Sequence, residues 1–224
     1  PTRLNPELGS EDDLAALAAA LAAHDMGLVV DVVPNHLCVD TTENLWWNDV
    51  LRRGRASEWA RVFDIDWDHP DAEGRLIVPL LRAPLAESEV SLEWRAGEAF
   101  VRVGEKMFAV VPDGSSGRDV RAVVATQHYR LLPWQHGAGN YRRYADINEL
   151  AAVRVEDPDV LAETHGKLFE WVRKGWIQGF RVDLAHRHHV VAADDVDRAG
   201  DDAPSVERGA DLGQALVAVE THLL

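Results

Sequence analysis

The stretch Gln178-Gly-Phe-Arg-Val-Asp183 decides the fold, because it is a short apolar run that ends in a carboxylate. Successive side chains of a β-strand point to opposite faces, so Arg181 and Asp183 are predicted to lie on the same side of this strand. Two other runs have the same form, Gly27-Leu-Val-Val-Asp31 and Leu216-Val-Ala-Val-Glu220. An acid at the carboxyl end of a barrel strand is well placed for chemistry. Three such strands predict one group of carboxylates.

Helical segments precede the first two of these strands. Ser10 lies three residues before Asp13, and leucines then recur on one face, which predicts an N-capped helix that ends at Gly27. Asp157-Pro158 supplies a cap and a first-turn proline for a second helix, predicted to reach Gly175. The order of helices and strands predicts an α/β protein, either a parallel barrel or a doubly wound sheet.

The middle of the chain loses this alternation. Short alternating stretches, such as Ser91-Leu-Glu-Trp-Arg95 and Ala99-Phe-Val-Arg-Val103, predict strands joined by tight turns. The segment 40–139 is therefore predicted to be an inserted subdomain, and the segments 1–39 and 140–224 are predicted to form the α/β part.

Composition limits the kinds of partner. The chain has 224 residues, of which 46% are hydrophobic, so a folded core is expected. Its 38 acidic and 23 basic residues give a formal charge of -15, which disfavours nucleic acid and anionic membranes as partners. The single Cys38 precludes an intrachain disulfide and fits a reducing, cytoplasmic compartment. Because the chain starts at Pro1 without a signal-like region, we expect a fragment or a processed form.

Three motifs carry a resemblance to a known family. Asp31-Val-Val-Pro-Asn-His36, Gly179-Phe-Arg-Val-Asp183 and the strand that ends at Glu220 resemble the first three sequence regions of the α-amylase clan, glycoside hydrolase family 13. The resemblance implies a (β/α)8 TIM barrel with an insertion after the third strand. Only strands three to five have counterparts in this chain, so a partial barrel is expected.

Five further blocks are more specific. They resemble the maltooligosyltrehalose synthase family of that clan: Pro1-Thr-Arg-Leu-Asn-Pro-Glu-Leu-Gly9, Arg55-Ala-Ser57, Phe63-Asp-Ile-Asp-Trp67, Gln127-His-Tyr-Arg130 and Asn140-Tyr-Arg-Arg-Tyr-Ala-Asp-Ile-Asn-Glu-Leu150. This implies an isomerase of maltooligosaccharides that works by intramolecular transglucosylation. The reducing-end α-1,4 bond would become an α,α-1,1 bond, no cofactor would be needed, and a maltooligosyltrehalose trehalohydrolase would be a companion enzyme.

Retaining glycosidases and transglycosylases need two carboxyl groups that lie about 5–5.5 Å apart. Asp183 is the predicted nucleophile, because the nearby Arg181 should lower its pKa and keep it ionised. Glu220 follows four apolar residues and is the predicted general acid/base. We expect neighbouring barrel strands to carry the two carboxylates, and the resemblance assigns the same roles.

Other positions are predicted to bind substrate. Together with the resemblance, the residues indicate a set of sugar contacts: Asp31, Asn35, His36, Arg181, Trp46, Tyr141 and Arg142. Two alternatives stay open. Asp31 would have a purely structural role if it only held Arg181 or a loop, and packing explains Trp46 and Trp47 as well as stacking on glucose does.

A metal site is not expected. His186, His188 and His189 have neither the i, i+4 spacing of a helical zinc site nor a cysteine-based pattern. They are predicted to lie in a solvated loop.

Two alternative functions also stay open. Leu184-Ala-His-Arg187 follows Asp183, and Thr221-His222 follows Glu220, where the synthase family usually has His-Pro-Asp-Gly and Lys-Ile. The alternatives are an α-glucan hydrolase of the same clan and an inactive glucan-binding fragment. We expect the chain by itself to be inactive.

Overall fold

The computed structural model describes residues 2–111, 119–137, 139–144, 147–184, 187–192 and 215–220. For residues 144, 148, 183, 184, 187–192 and 215–220 it describes the backbone alone. The chain forms two compact units. Unit 1 consists of Pro1–Asn35 and Val155–Leu224, and unit 2 consists of His36–Arg154.

Helices and strands alternate at both ends of the chain. The α-helices are α1 (Glu11–Ala22), α2 (Leu45–Arg53), α3 (Val120–Ala125) and α4 (Pro158–Arg173). The strands are β1 (Met26–Val32), β2 (His36–Cys38), β3 (Leu76–Leu81), β4 (Ser91–Arg95), β5 (Glu98–Val103), β6 (Lys106–Ala109), β7 (Tyr129–Pro133), β8 (Arg143–Tyr144), β9 (Ile147–Ala152), β10 (Gly179–Leu184), β11 (Arg187–Ala192) and β12 (Ala215–Glu220). Short 3-10 helices lie at Gly54–Ala56, Glu58–Arg61, Leu85–Glu87 and Trp134–His136. The α/β class is confirmed. None of the described helices is long and apolar enough to cross a membrane.

The described residues of unit 1 contain a four-stranded sheet with the order β11-β10-β1-β12. The central strand β1 runs parallel to both β10 and β12, and β11 runs antiparallel to β10. The apolar run of β1 is buried at consecutive positions, as expected for a parallel strand that is covered on both faces. The hydrophobic core of unit 1 is made of Leu28, Val30, Val32, Leu168, Trp171, Ile177 and Phe180.

The N-terminus of α1 matches the prediction, but its C-terminus does not. The Ser10 hydroxyl accepts a hydrogen bond from the Asp13 amide (3.2 Å), and the Asp13 carboxylate accepts one from the Ser10 amide (2.8 Å). This reciprocal capping box fixes the start. The helix ends at Ala22, and Asp25 then turns the chain with φ 53°. The prediction that Gly27 ends the helix is wrong, because Gly27 already belongs to β1.

The second helix, α4, also begins as predicted. The Asp157 carboxylate caps it by accepting from the Asp159 amide (2.9 Å), with Pro158 in the first turn. The helix ends at Arg173, and the chain turns at Gly175 with φ 70°. Five side chains of α4 are buried: Val160, Thr164, His165, Leu168 and Trp171. The sequence did not indicate burial of His165 and Trp171.

Burial of His165 makes the stability of unit 1 pH-dependent. Desolvation lowers the pKa of His165 below its ordinary value of 6.5, since the residue is only 8% exposed. As pH falls through 6.5 the unfolded chain binds the proton first, so the free energy of unfolding should decrease below that pH. We expect His165→Gln to flatten the dependence between about pH 7.5 and 5, as measured by urea unfolding. The exposed His24, changed to Gln, is the control, and an unchanged slope in His165→Gln would contradict this account.

The predicted loop position of the histidine cluster is wrong for His188 and His189. Both lie in β11, where His188 pairs with Asp183 and His189 pairs with Val182. This segment is a strand because its backbone pairs with the edge of β10. The spacing of the histidines cannot reveal that pairing. His186 lies outside the described residues.

Where unit 2 is described, its strands form three small sheets. They are the antiparallel sheet β2-β9-β8, the parallel pair β3-β7 and the antiparallel sheet β4-β5-β6. Strands β4 and β5 confirm the two strands predicted between residues 91 and 103. The unit ends at Arg154, beyond the predicted boundary at residue 139, because β9 pairs with β2 and Val153 pairs with Phe63.

Candidate active site

Strand β1 brings three positions of the predicted site into one row. Asp31 pairs with Arg181 of β10 on one side and with Glu220 of β12 on the other. All three strands are parallel, so these backbone positions lie near the carboxyl edge of the same sheet. Asp183 lies two residues beyond Arg181 in β10. The side chains of Asp183 and Glu220 lie outside the described part of the chain.

The order of the strands differs from the predicted one. We expected the strands of Asp183 and Glu220 to be neighbours, but β1 lies between β10 and β12. The reason is that β11 occupies the other edge of β10, through an antiparallel register that runs from Gly179 to Leu184. Asp31, rather than Asp183, is thus the residue opposite Glu220.

Asp31 and Arg181 form an ion pair between Oδ2 of the carboxylate and Nη2 of the guanidinium. The Asp31 side chain is 16% exposed and that of Arg181 is 42% exposed, so the carboxylate lies deeper than its partner. A partly buried carboxylate needs such a partner to offset its lost hydration. Asp31 thus contacts Arg181, and the pair neutralises part of the arginine charge.

Asn35 and His36 follow β1 where the two units meet in sequence. Asn35 is the last residue of the first segment of unit 1, and His36 begins β2, paired with Ala152 of β9. Both side chains are half-buried. The β2-β9 pairing fixes the backbone of His36.

The two tryptophans at the start of α2 have different environments. Trp47 is only 2% exposed and packs edge-on against Phe63, with ring centroids 4.9 Å apart, and against Tyr141 at 5.4 Å. Trp46 is half-buried and stacks on Trp59, with centroids 4.5 Å apart and planes 8° apart. Packing explains Trp47 fully, whereas the Trp46–Trp59 pair keeps part of its surface open.

Tyr141 and Arg142 lie next to each other but in different surroundings. Tyr141 is 5% exposed, and burial raises its pKa to about 12, so its hydroxyl stays protonated at neutral pH. Arg142 is exposed, and its Nε donates to the Asp64 carboxylate at 2.6 Å. Its amide donates to the Asp64 carbonyl at 2.9 Å, which ties this segment to residues 63–65.

Asn140 is an organising residue that the sequence reasoning did not single out. Its Oδ1 accepts from the Ile77 amide (2.7 Å), and its Nδ2 donates to the carbonyls of Asp66 (2.8 Å) and Arg75 (3.0 Å). A Cβ added to Gly139 would lie 2.5 Å from the Ile77 carbonyl oxygen, so the approach is close. The Gly-Asn pair directly before Tyr141 was the signal that could have indicated it.

Within the described parts of the chain, no group of three His, Cys, Asp or Glu side chains could hold a metal ion.

The chain is similar to known proteins over most of its length. The family profile described as “Alpha amylase, catalytic domain” matches residues 2–207. A Mycobacterium tuberculosis protein, described as a candidate maltooligosyl trehalose synthase, is 43% identical over 184 residues, which is 82% of this chain and 23% of that protein.

Two solved structures are also similar to the chain in sequence and in fold. The maltooligosyltrehalose synthase of Arthrobacter ramosus is 40% identical with a TM-score of 0.66, over 76% of this chain and 22% of that one. A hypothetical maltooligosyl trehalose synthase of Sulfolobus tokodaii is 27% identical with a TM-score of 0.68, over 80% of this chain and 24% of that one. The chain thus spans about a quarter of the length of these relatives. By its match over residues 2–207, the chain belongs to the α-amylase catalytic-domain family.

Proposed function

We propose that the chain is part of an enzyme that converts the reducing-end α-1,4 bond of a maltooligosaccharide into an α,α-1,1 bond. The observation that carries this proposal is the 40% identity to the Arthrobacter ramosus maltooligosyltrehalose synthase, over 76% of the chain and at a TM-score of 0.66. We further propose that unit 1 belongs to a (β/α)8 barrel and that unit 2 is the insertion after its third strand.

The proposed reaction has two steps at one anomeric carbon, with Asp183 on one face of the sugar and Glu220 on the other. Asp183 attacks the anomeric carbon next to the terminal glucose, while Glu220 gives its proton to the leaving 4-oxygen. The freed glucose then presents its anomeric hydroxyl, Glu220 takes that proton, and the hydroxyl displaces Asp183. A new glycosidic bond replaces the old one, so the substrate and product have the same composition.

The proposed sugar contacts are Asp31, Asn35, His36, Arg181, Trp46, Tyr141 and Arg142. Asp31 would act through its ion pair with Arg181. The exposed Arg142 and the half-buried Trp46 have surface available for a sugar, whereas Tyr141 is buried and would act mainly by shaping its neighbours.

Product analysis tests the proposed reaction. The natural full-length protein that contains these 224 residues is incubated with maltopentaose, and the products are separated by size and assayed for reducing ends. We expect a non-reducing product of unchanged length. Shorter reducing sugars alone would reject the isomerase and support an α-glucan hydrolase, which the residues after Asp183 and Glu220 favour as the second candidate.

Two further proposals concern the setting of the enzyme. We propose that it works in the cytoplasm, since its single cysteine fits a reducing compartment. A trehalohydrolase would act on its product, because an α,α-1,1-capped oligosaccharide is the substrate that such an enzyme needs.

A further inference from the structure

Unit 2 contains a surface pocket that takes no part in the proposed reaction. Its volume is about 420 Å³, which is suited to a small molecule rather than a polymer. Three arginines line it, Arg55, Arg61 and Arg154, and all three are exposed. In a chain with a net charge of -15, this cluster is a local reversal of sign.

An extended segment supplies the apolar side of the pocket. Phe63 and Ile65 line it, and each makes a single bridge to another part of the unit. Trp67 lines it as well, from the turn that follows this segment. The half-buried indole of Trp67 offers a flat apolar surface beside the arginines.

The polar lining has far more donors than acceptors. Each guanidinium has five N–H donors and no acceptor. Among the described residues of the lining, only Glu58 is acidic. The Ser57 hydroxyl is already engaged, since it donates to the Asp49 carboxylate at 2.6 Å and accepts from the Trp59 amide at 3.1 Å. A neutral sugar needs acceptors and donors in similar number, so this lining favours a ligand that is rich in acceptors and negatively charged.

Arg55 is held in place before any ligand arrives. Arg55 donates from Nη1 to Asp68 Oδ1 (2.8 Å) and from Nη2 to Asp68 Oδ2 (3.4 Å). This two-point contact orients the planar guanidinium and leaves three of its five donors for a ligand. We propose that the pocket binds a phosphate group, either as inorganic phosphate or as a sugar phosphate, through Arg55, Arg61 and Arg154.

Calorimetric titrations of the full-length protein test this site with three probes. Inorganic phosphate and glucose 6-phosphate should bind, weakly and less well at high salt, because the arginines are exposed. Glucose should not bind with comparable affinity. Tighter binding of glucose 6-phosphate than of phosphate would identify a sugar phosphate that uses Trp67, and equal binding would identify free phosphate. Absence of binding by both phosphates, or equal binding of glucose, would overturn the proposal.

Charge variants distinguish this pocket from other sites. Arg61→Gln and Arg154→Gln should each weaken phosphate binding about tenfold, the change that one lost charge-assisted contact commonly produces. Glu58→Gln should strengthen it several-fold, a gain that misfolding cannot imitate. Arg95→Gln is the matched control, since Arg95 is an exposed arginine in β4 that pairs with Glu93. Unchanged phosphate affinity in all three pocket variants would place the binding elsewhere and overturn the assignment.

Discussion

Replacement of Asp183 by Asn is expected to lower the turnover of maltooligosaccharides by about four orders of magnitude or more, while their binding largely survives. The amide keeps the shape of the side chain but cannot attack the anomeric carbon. The measurement is kcat in the full-length protein, together with a Kd for maltopentaose. Asp12→Asn, a change at an exposed acid in α1, is the control and should leave both values unchanged.

The matching change at Glu220 should have a different signature. Glu220→Gln removes the proposed proton donor, so substrates with a poor leaving group should suffer most. An aryl glycoside with a good leaving group should still form the glycosyl-enzyme, which mass spectrometry detects. Trapping of that intermediate to the same extent in Asp183→Asn and in the unchanged protein would remove Asp183 from the nucleophile role.

Replacement of Asn140 by Ala is expected to destabilise unit 2 by about 3 kcal/mol or more, since each buried polar group left unpaired costs about 1–3 kcal/mol. The change would leave the Ile77 amide and the carbonyls of Asp66 and Arg75 without their side-chain partner. Urea unfolding measures the loss as a lower midpoint.

Asn5→Ala is the matched control for Asn140. The Asn5 side chain accepts one exposed hydrogen bond, from the Glu7 amide at 3.0 Å, so its loss should cost within about 0.5 kcal/mol. If Asn140→Ala were no more destabilised than this control, water would have to replace the lost contacts, and Asn140 would not organise the segment.

The local features of the fold could be predicted from the sequence. Ser10 and Asp13 predicted the start of α1, because a capping box is formed by two residues that lie three positions apart. Asp157-Pro158 predicted the start of α4 in the same way, as a cap followed by a first-turn proline. The apolar run of β1 predicted a buried parallel strand, because a strand that is buried on both faces needs apolar residues at consecutive positions.

Long-range pairing could not be predicted in the same way. The β1 strand lies between β10 and β12, and the edge position of β11 depends on hydrogen bonds between segments that carry no local signal. The end of α1 was misplaced because Asp25, and not a glycine, adopts the left-handed turn.

In the candidate site, too, some features could be predicted from the sequence and others could not. The motifs indicated Asp31 and Arg181, and the structure joins them in an ion pair. Asn140 was overlooked because its three partners lie 63 to 74 residues away in sequence, so only the folded chain reveals their convergence.

The Asp31–Arg181 ion pair also constrains how this sheet can change during evolution. Loss of either residue removes the ion pair, so each single variant is expected to be somewhat less stable, by an amount that solvent limits because Arg181 is 42% exposed. The effects of the two replacements should be non-additive, with the double variant Asp31→Asn, Arg181→Gln better tolerated than the sum of its parts. The residue types at these two positions are thus expected to change together among descendants of this sequence.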